Sequence, residues 1–200
     1  MELKTVELLK NRRSFYVLDK NIKVSEEEIK EAIREIVKYS PSPFNVQSEK
    51  VVVLFGEDHD YLWGTIVMET LRKIVGGEEK FKETEAKING FKNGYGTILI
   101  FEDKDILEEA KKGLGSYAPN LDTWSEHANG IVTIGLWIGL RELGLGANLQ
   151  HYNPIIDEEV KDKWDIPKNW ILKSQMVFGN ILEHPEEKSK IDINSRVVFK

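Results

Sequence analysis

The stretch that most limits the fold is GIVTIGLWIGL, residues 130–140. Its 11 residues carry no charge, yet a membrane span needs about 18 or more. With its flanks it reads as one long helix over 121–143, apolar on almost every side. Such a helix has to be covered by protein all round. Gly130, Gly135 and Gly139 lie inside it, where each costs about 1 kcal/mol against alanine. That cost is tolerable where something packs very close, such as a helix or a planar ligand.

The segments around this helix supply its cover. Val6, Leu8 and Leu9 give a first short helix an apolar stripe. Ser25 and Glu28 fit a capping box, in which serine and glutamate satisfy each other's free backbone N–H groups. Ile29, Ala32, Ile33, Ile36 and Val37 follow at helical spacing. Pro41 and Pro43 then end that helix in the loop SPSPFNVQS. The runs 50–55, 96–103 and 170–181 read as buried strands, and 147–150 as a short one. Helices are expected at 58–75, 78–89, 104–112 and 155–164. Strands separated by helices imply a sheet covered by helices, in one domain over 1–200. The tail, about 183–200, is a charged arm that ends in β-forming VVF. Such an arm can pair with a sheet edge.

Charge and chemistry narrow the function. Net charge is -6 and the pI about 5.4, with no basic stripe, so no nucleic-acid partner is expected. There is no cysteine, which excludes disulfides and thiolate chemistry. The start, MELKTVELLK, is charged throughout and is not a signal peptide. The expectation is a cytoplasmic protein with no membrane segment. The four histidines have no ligand spacing, so no metal site is expected. GLGSYA (113–118) matches a dinucleotide fingerprint on paper, but it follows a helix rather than a strand.

Three stretches remain. Arg12, Arg13 and Ser14 close the first helix. Two guanidiniums and a hydroxyl match the oxygens of a phosphate monoester, and they equally suit a basic helix C-terminus. The loop 40–48 offers the amides of Asn45 and Gln47 beside Pro43, suited to a heteroaromatic ring or to an ordinary Asx-turn. GLGANLQHYNP (144–154) puts a glycine turn and a short strand before Gln150, His151 and Asn153.

In this order the three stretches resemble the nitroreductase family of FMN-dependent oxidoreductases. RRSFY (12–16) stands where that family has its R-R-S cluster. Pro41 to Gln47 stands for its P-S-x-x-N-x-Q loop, and GLGANLQHYNP follows the long core helix as the flavin-contacting segment. The Q-H-Y-N-P wording is similar to the short branch of fungal and bacterial fatty-acid-response and stress-induced nitroreductases. Tyr16 replaces a basic residue usual in the family, and no tryptophan follows Gln47.

The resemblance implies an α+β three-layer sandwich, with a central, mostly antiparallel sheet flanked by helices. It implies an intertwined homodimer whose C-terminal arm reaches the partner subunit. It implies FMN held by Arg12, Arg13, Ser14, Tyr16, Pro43, Asn45, Gln47, Leu149, Gln150, His151 and Arg196, the last returning to the phosphate. NADH or NADPH would donate a hydride through flavin N5 to a nitroaromatic, a quinone or a similar small aromatic substrate, by ping-pong. The flavin carries the chemistry, so no catalytic side chain is expected. Trp124, Trp137 and Phe44 would shape the substrate pocket. The rival reading is an FMN- or ligand-binding sensor with little turnover.

Overall fold

The structure, a computed structural model, describes residues 3–200. Its elements follow the apolar pattern closely. In chain order they are α1 (Lys4–Asn11), β1 (Leu18–Asp19), α2 (Glu26–Tyr39), β2 (Glu49–Phe55), α3 (Gly56–Tyr61), α4 (Met68–Val75) and α5 (Glu78–Lys92). Then come β3 (Gly96–Asp103), α6 (Lys104–Gly113), α7 (Leu121–Glu142), β4 (Gly146–Gln150), α8 (Asp157–Lys163) and β5 (Trp170–Ile181).

β5 pairs antiparallel with β1, β3 and β4, and β3 pairs antiparallel with β2. Every residue of β3 is buried, because both faces of the sheet are covered. Alternation then divides its side chains. Leu99 and Phe101 join one core with Trp63, Phe91 and Val160. Ile98 and Ile100 join the other with Ile29, Val132 and Leu136. The result is the three-layer α+β sandwich that the family resemblance implied.

The capping box forms as expected: the Glu28 N–H donates to Ser25 Oγ at 3.3 Å, and the Ser25 N–H to Glu28 Oε2 at 2.9 Å. α2 lies against α7, where Ile36 fills the space that two glycines leave. An added Cβ would come within 3.0 Å of Ile36 at Gly135 and 2.3 Å at Gly139. Gly130 faces open space instead.

Two expectations change. The helix expected over 58–75 is interrupted by a π turn at Leu62–Val67. There Trp63 Nε1 donates to Thr97 Oγ1 at 2.8 Å, and His59 Nδ1 meets the same oxygen at 2.8 Å. His59 Nε2 lies 3.2 Å from Lys92 O. These partners put the ring proton on Nε2 and let the Thr97 hydroxyl donate to Nδ1. Burial pushes the His59 pKa down to about 4, so this histidine is neutral core. The second change is the tail. Residues 183–200 form no strand, only a turn at Ile193–Ser195. The terminal VVF lies exposed, with Phe199 at 92 %, because it meets no free sheet edge within its own protomer.

Candidate functional site

α1 stops at Asn11, and Arg12 takes an extended backbone (φ -72°, ψ 108°) while its N–H still closes on Leu8 O. The chain then runs beside β4. Ser14 forms a parallel bridge with Ala147. The Phe15 N–H donates to Ala147 O at 3.0 Å, and Asn148 Nδ2 donates to Phe15 O at 2.7 Å. Trp137 of α7 holds both strands, its Nε1 lying 3.2 Å from Arg13 O and 3.2 Å from Ala147 O. Its ring lies under the Arg12 guanidinium, 4.4 Å from the centroid.

This corner carries positive charge without a countercharge. No ion pair among the described residues includes Arg12, Arg13 or Arg141. Partial burial, and then the charge of Arg13, hold the Arg12 guanidinium below its usual range. Arg13 Nη2 donates to the backbone carbonyl of Glu186 at 2.6 Å, and His184 stands edge-on to Phe15. The root of the C-terminal arm therefore borders the cluster.

A cleft of about 490 Å³ lies between α7 and the sheet, and Trp137 joins it to this corner. Ile134 and Trp137 of α7 and Leu149 of β4 give it apolar walls. Asn129, Thr133 and Ser174 supply hydrogen-bonding groups, and Lys173 is the cation among its lining residues, ion-paired with Glu126. Along α7 it spans Glu126 to Trp137, roughly 16 Å at 1.5 Å per residue. Behind it, Asn129 Nδ2 lies 3.4 Å from Glu102 Oε2. Glu102 is 2 % exposed and its Oε1 has no partner. Burial raises its pKa, and Glu49, its cross-strand neighbour, adds to the rise.

The sequence-predicted residues fall into four groups. Leu149 and His151 line the cleft, Arg12, Arg13 and Ser14 meet it through Trp137 and Ala147, and Tyr16 is exposed. Gln150 points to the opposite face of β4, where its Nε2 donates to Asn148 Oδ1 at 2.8 Å. Strand alternation requires this once Leu149 and His151 face the cleft. Pro43, Asn45 and Gln47 lie elsewhere, in a tight loop with Phe44, Asn45 and Gln47 at positive φ. Phe44 packs there on Tyr117 and Trp124, beside a second cleft of about 390 Å³ that also meets His127 and Ile131 of α7. Within one protomer Trp124 and Trp137 thus line different clefts. Arg196 is exposed in the tail turn, away from Arg12–Ser14 in its contacts. Sequence reading passed over Asn129, Thr133, Lys173, Ser174 and Arg141. A signal existed: Gly130, Ile134, Trp137 and Arg141 repeat at i, i+4, i+7 and i+11, one face of a helix.

Comparison with known proteins agrees with this architecture. The model of the nitroreductase family matches residues 9–180. The nitroreductase FRM2 of Saccharomyces cerevisiae is 31% identical over 184 residues, covering 91% of this chain and 90% of that protein. Nitroreductase CinD from Lactococcus lactis, in complex with nicotinic acid, is 40% identical with a TM-score of 0.92, over 98% of this chain and 100% of its own. Further CinD structures hold chloramphenicol and 4-nitrophenol. A chain from Exiguobacterium sibiricum in complex with FMN shares the fold alone, at 18% identity and a TM-score of 0.71 over 100% of this chain and 99% of its own. No helix among the described residues is long and apolar enough to cross a membrane. With sequence, fold and the order of its site segments in agreement, the chain belongs to the nitroreductase family.

Proposed function

We propose that the chain is an FMN-dependent reductase that takes hydride from NADH or NADPH and passes it to a nitroaromatic, a quinone or a similar flat electrophile. The observation that carries the reading is the unpaired Arg12–Arg13 cluster at the end of the cleft. Two adjacent guanidiniums without a carboxylate suit a phosphate monoester, which brings about -1.5 to -2 of charge. The cleft fits the rest of the cofactor: long enough for a flat ring and its side chain, with apolar walls and a few hydrogen-bonding groups.

When bound, FMN supplies the hydride chemistry. The chain's residues then bind and orient. Arg12, Arg13 and Ser14 hold the phosphate, and Trp137 fixes the first two through the Arg13 carbonyl and the face of Arg12. Ile134, Trp137 and Leu149 exclude water from the ring, while Asn129, Thr133 and Ser174 offer hydrogen bonds to its edge. Lys173, held by Glu126, would be the cation among the cleft-lining residues available to a bound flavin.

A homodimer completes this reading. Within one protomer the loop 43–47 is on the other side of α7 from Arg12–Ser14, and a second copy would bring Asn45 and Gln47 to the cleft. Exposed apolar residues support that contact: Leu3 just before α1, Val6 and Leu9 on it, Phe44 in the loop, Ile131 on α7 and Phe199 in the arm. Ligands in the CinD structures, among them a nitrophenol and an aromatic acid, support a small aromatic substrate.

The test is purification followed by anaerobic addition of NADH and, separately, NADPH. A yellow protein that bleaches, then regains colour with a quinone or nitroaromatic, is the expected result and identifies the donor. Colour that persists with both donors would favour the ligand-binding sensor. A protein that takes up no FMN would refute the proposal.

A further inference from the structure

We infer that Arg141 is a third phosphate-binding residue, closing the anion cradle that Arg12 and Arg13 open; this rests on the FMN reading above. Three observations converge on it. First, Arg141 continues the cleft-lining face of α7, one turn and about 6 Å beyond Trp137. Gly130, Ile134 and Trp137 of that face all line the cleft, and Arg141 follows one turn past the last of them. Second, its guanidinium lies over Phe15, 5.7 Å from the ring centroid. Phe15 directly follows Ser14, and its own N–H is fixed to Ala147. The stacking sets the Arg141 guanidinium beside the residue that follows Ser14. Third, Arg141 Nε is buried and has no hydrogen-bond partner.

A buried donor without a partner is costly. No carboxylate among the described residues relieves it, since none of the twelve ion pairs involves these arginines. A phosphate monoester answers that demand, with oxygens to accept from the guanidinium and charge to offset it. Arg141 also supplies positive charge that Tyr16, where the family usually has a basic residue, does not.

The experiment separates phosphate binding from structural support. Dissociation constants for FMN and for riboflavin, which lacks the phosphate, are measured by flavin fluorescence on protein stripped of flavin. Wild type, Arg141→Gln and Arg141→Lys are compared after thermal melts have checked folding. Arg141→Gln is expected to weaken FMN by about tenfold to a hundredfold, the loss of a charge-assisted bond, and to leave riboflavin unchanged. Arg141→Lys lies between, and carries the test should the glutamine variant fail to fold. Equal losses for both flavins would overturn the assignment, leaving Arg141 as a support for Phe15. No loss for either would also overturn it. A wild type that binds riboflavin as tightly as FMN would refute the cradle while keeping the flavin site. A wild type that binds neither refutes the flavin reading, and this assignment with it.

Discussion

Trp137→Phe tests how the basic cluster is held. The substitution keeps an aromatic ring near Arg12 but removes the indole N–H shared by Arg13 O and Ala147 O. The strand contact itself survives, because Ser14 still bridges Ala147 and the Phe15 N–H still donates there. The loss is then one shared hydrogen bond, about 1 kcal/mol. A weaker cation–π contact with Arg12 adds a few tenths, since phenylalanine is a poorer partner than tryptophan. The smaller ring at a half-buried position adds roughly 0.5–1 kcal/mol more. The sum, about 2 kcal/mol, lowers Tm by about 4–8 °C in a chain of this size. Scanning calorimetry of wild type and variant checks it. Trp137→Leu, which removes the ring as well, is expected to fall further. A Tm for Trp137→Phe within about 1 °C of wild type would refute the reasoning, because the shared N–H would then hold nothing.

Two buried titratable groups, His59 and Glu102, give opposite pH behaviour. Folding lowers the His59 pKa from 6.5 to about 4, so its contribution is full above pH 6.5 and is lost as pH falls toward 4. The loss amounts to about 3 kcal/mol at about 1.4 kcal/mol per unit. His59→Gln should flatten the urea-midpoint profile across that window, and an unchanged slope would exclude His59 as its source. The Glu102 carboxyl is raised by burial, so its contribution is full in acid and is lost as pH rises through the raised value. Glu102→Gln is therefore expected to gain on wild type above neutrality and not in acid. A deficit at every pH would show instead that the carboxylate is stabilised where it stands.

Much of the fold was legible because burial leaves local marks. The apolar runs at 96–103 and 170–181 are buried on both faces, and the Ser25–Glu28 pair announces its own helix start. Arg12, Arg13 and Ser14 were legible because they sit where a helical pattern stops. The rest needed distances that sequence spacing does not carry. Arg141 joins the site only because Phe15 and Trp137 bring α1 and α7 together. The separation of Trp124 from Trp137 was nonetheless available, since thirteen helical residues place them roughly 220° apart. The orientation of Gln150 was also implicit in strand alternation, but it depends on which face of β4 meets the cleft. The β-forming VVF pairs with no strand of its own protomer, and the arm was expected to reach a partner subunit.

The arginines of the cradle stand at positions 12, 13 and 141, so only the native chain assembles them. Whatever anion they bind is therefore a ligand of the folded form alone, and by mass action it enters the folding equilibrium. At a hundred times its dissociation constant it would add about 2.7 kcal/mol, a large share of the 5–15 kcal/mol typical of a native protein. Cofactor supply, as much as the core, would then decide how much of this chain survives heat or proteolysis.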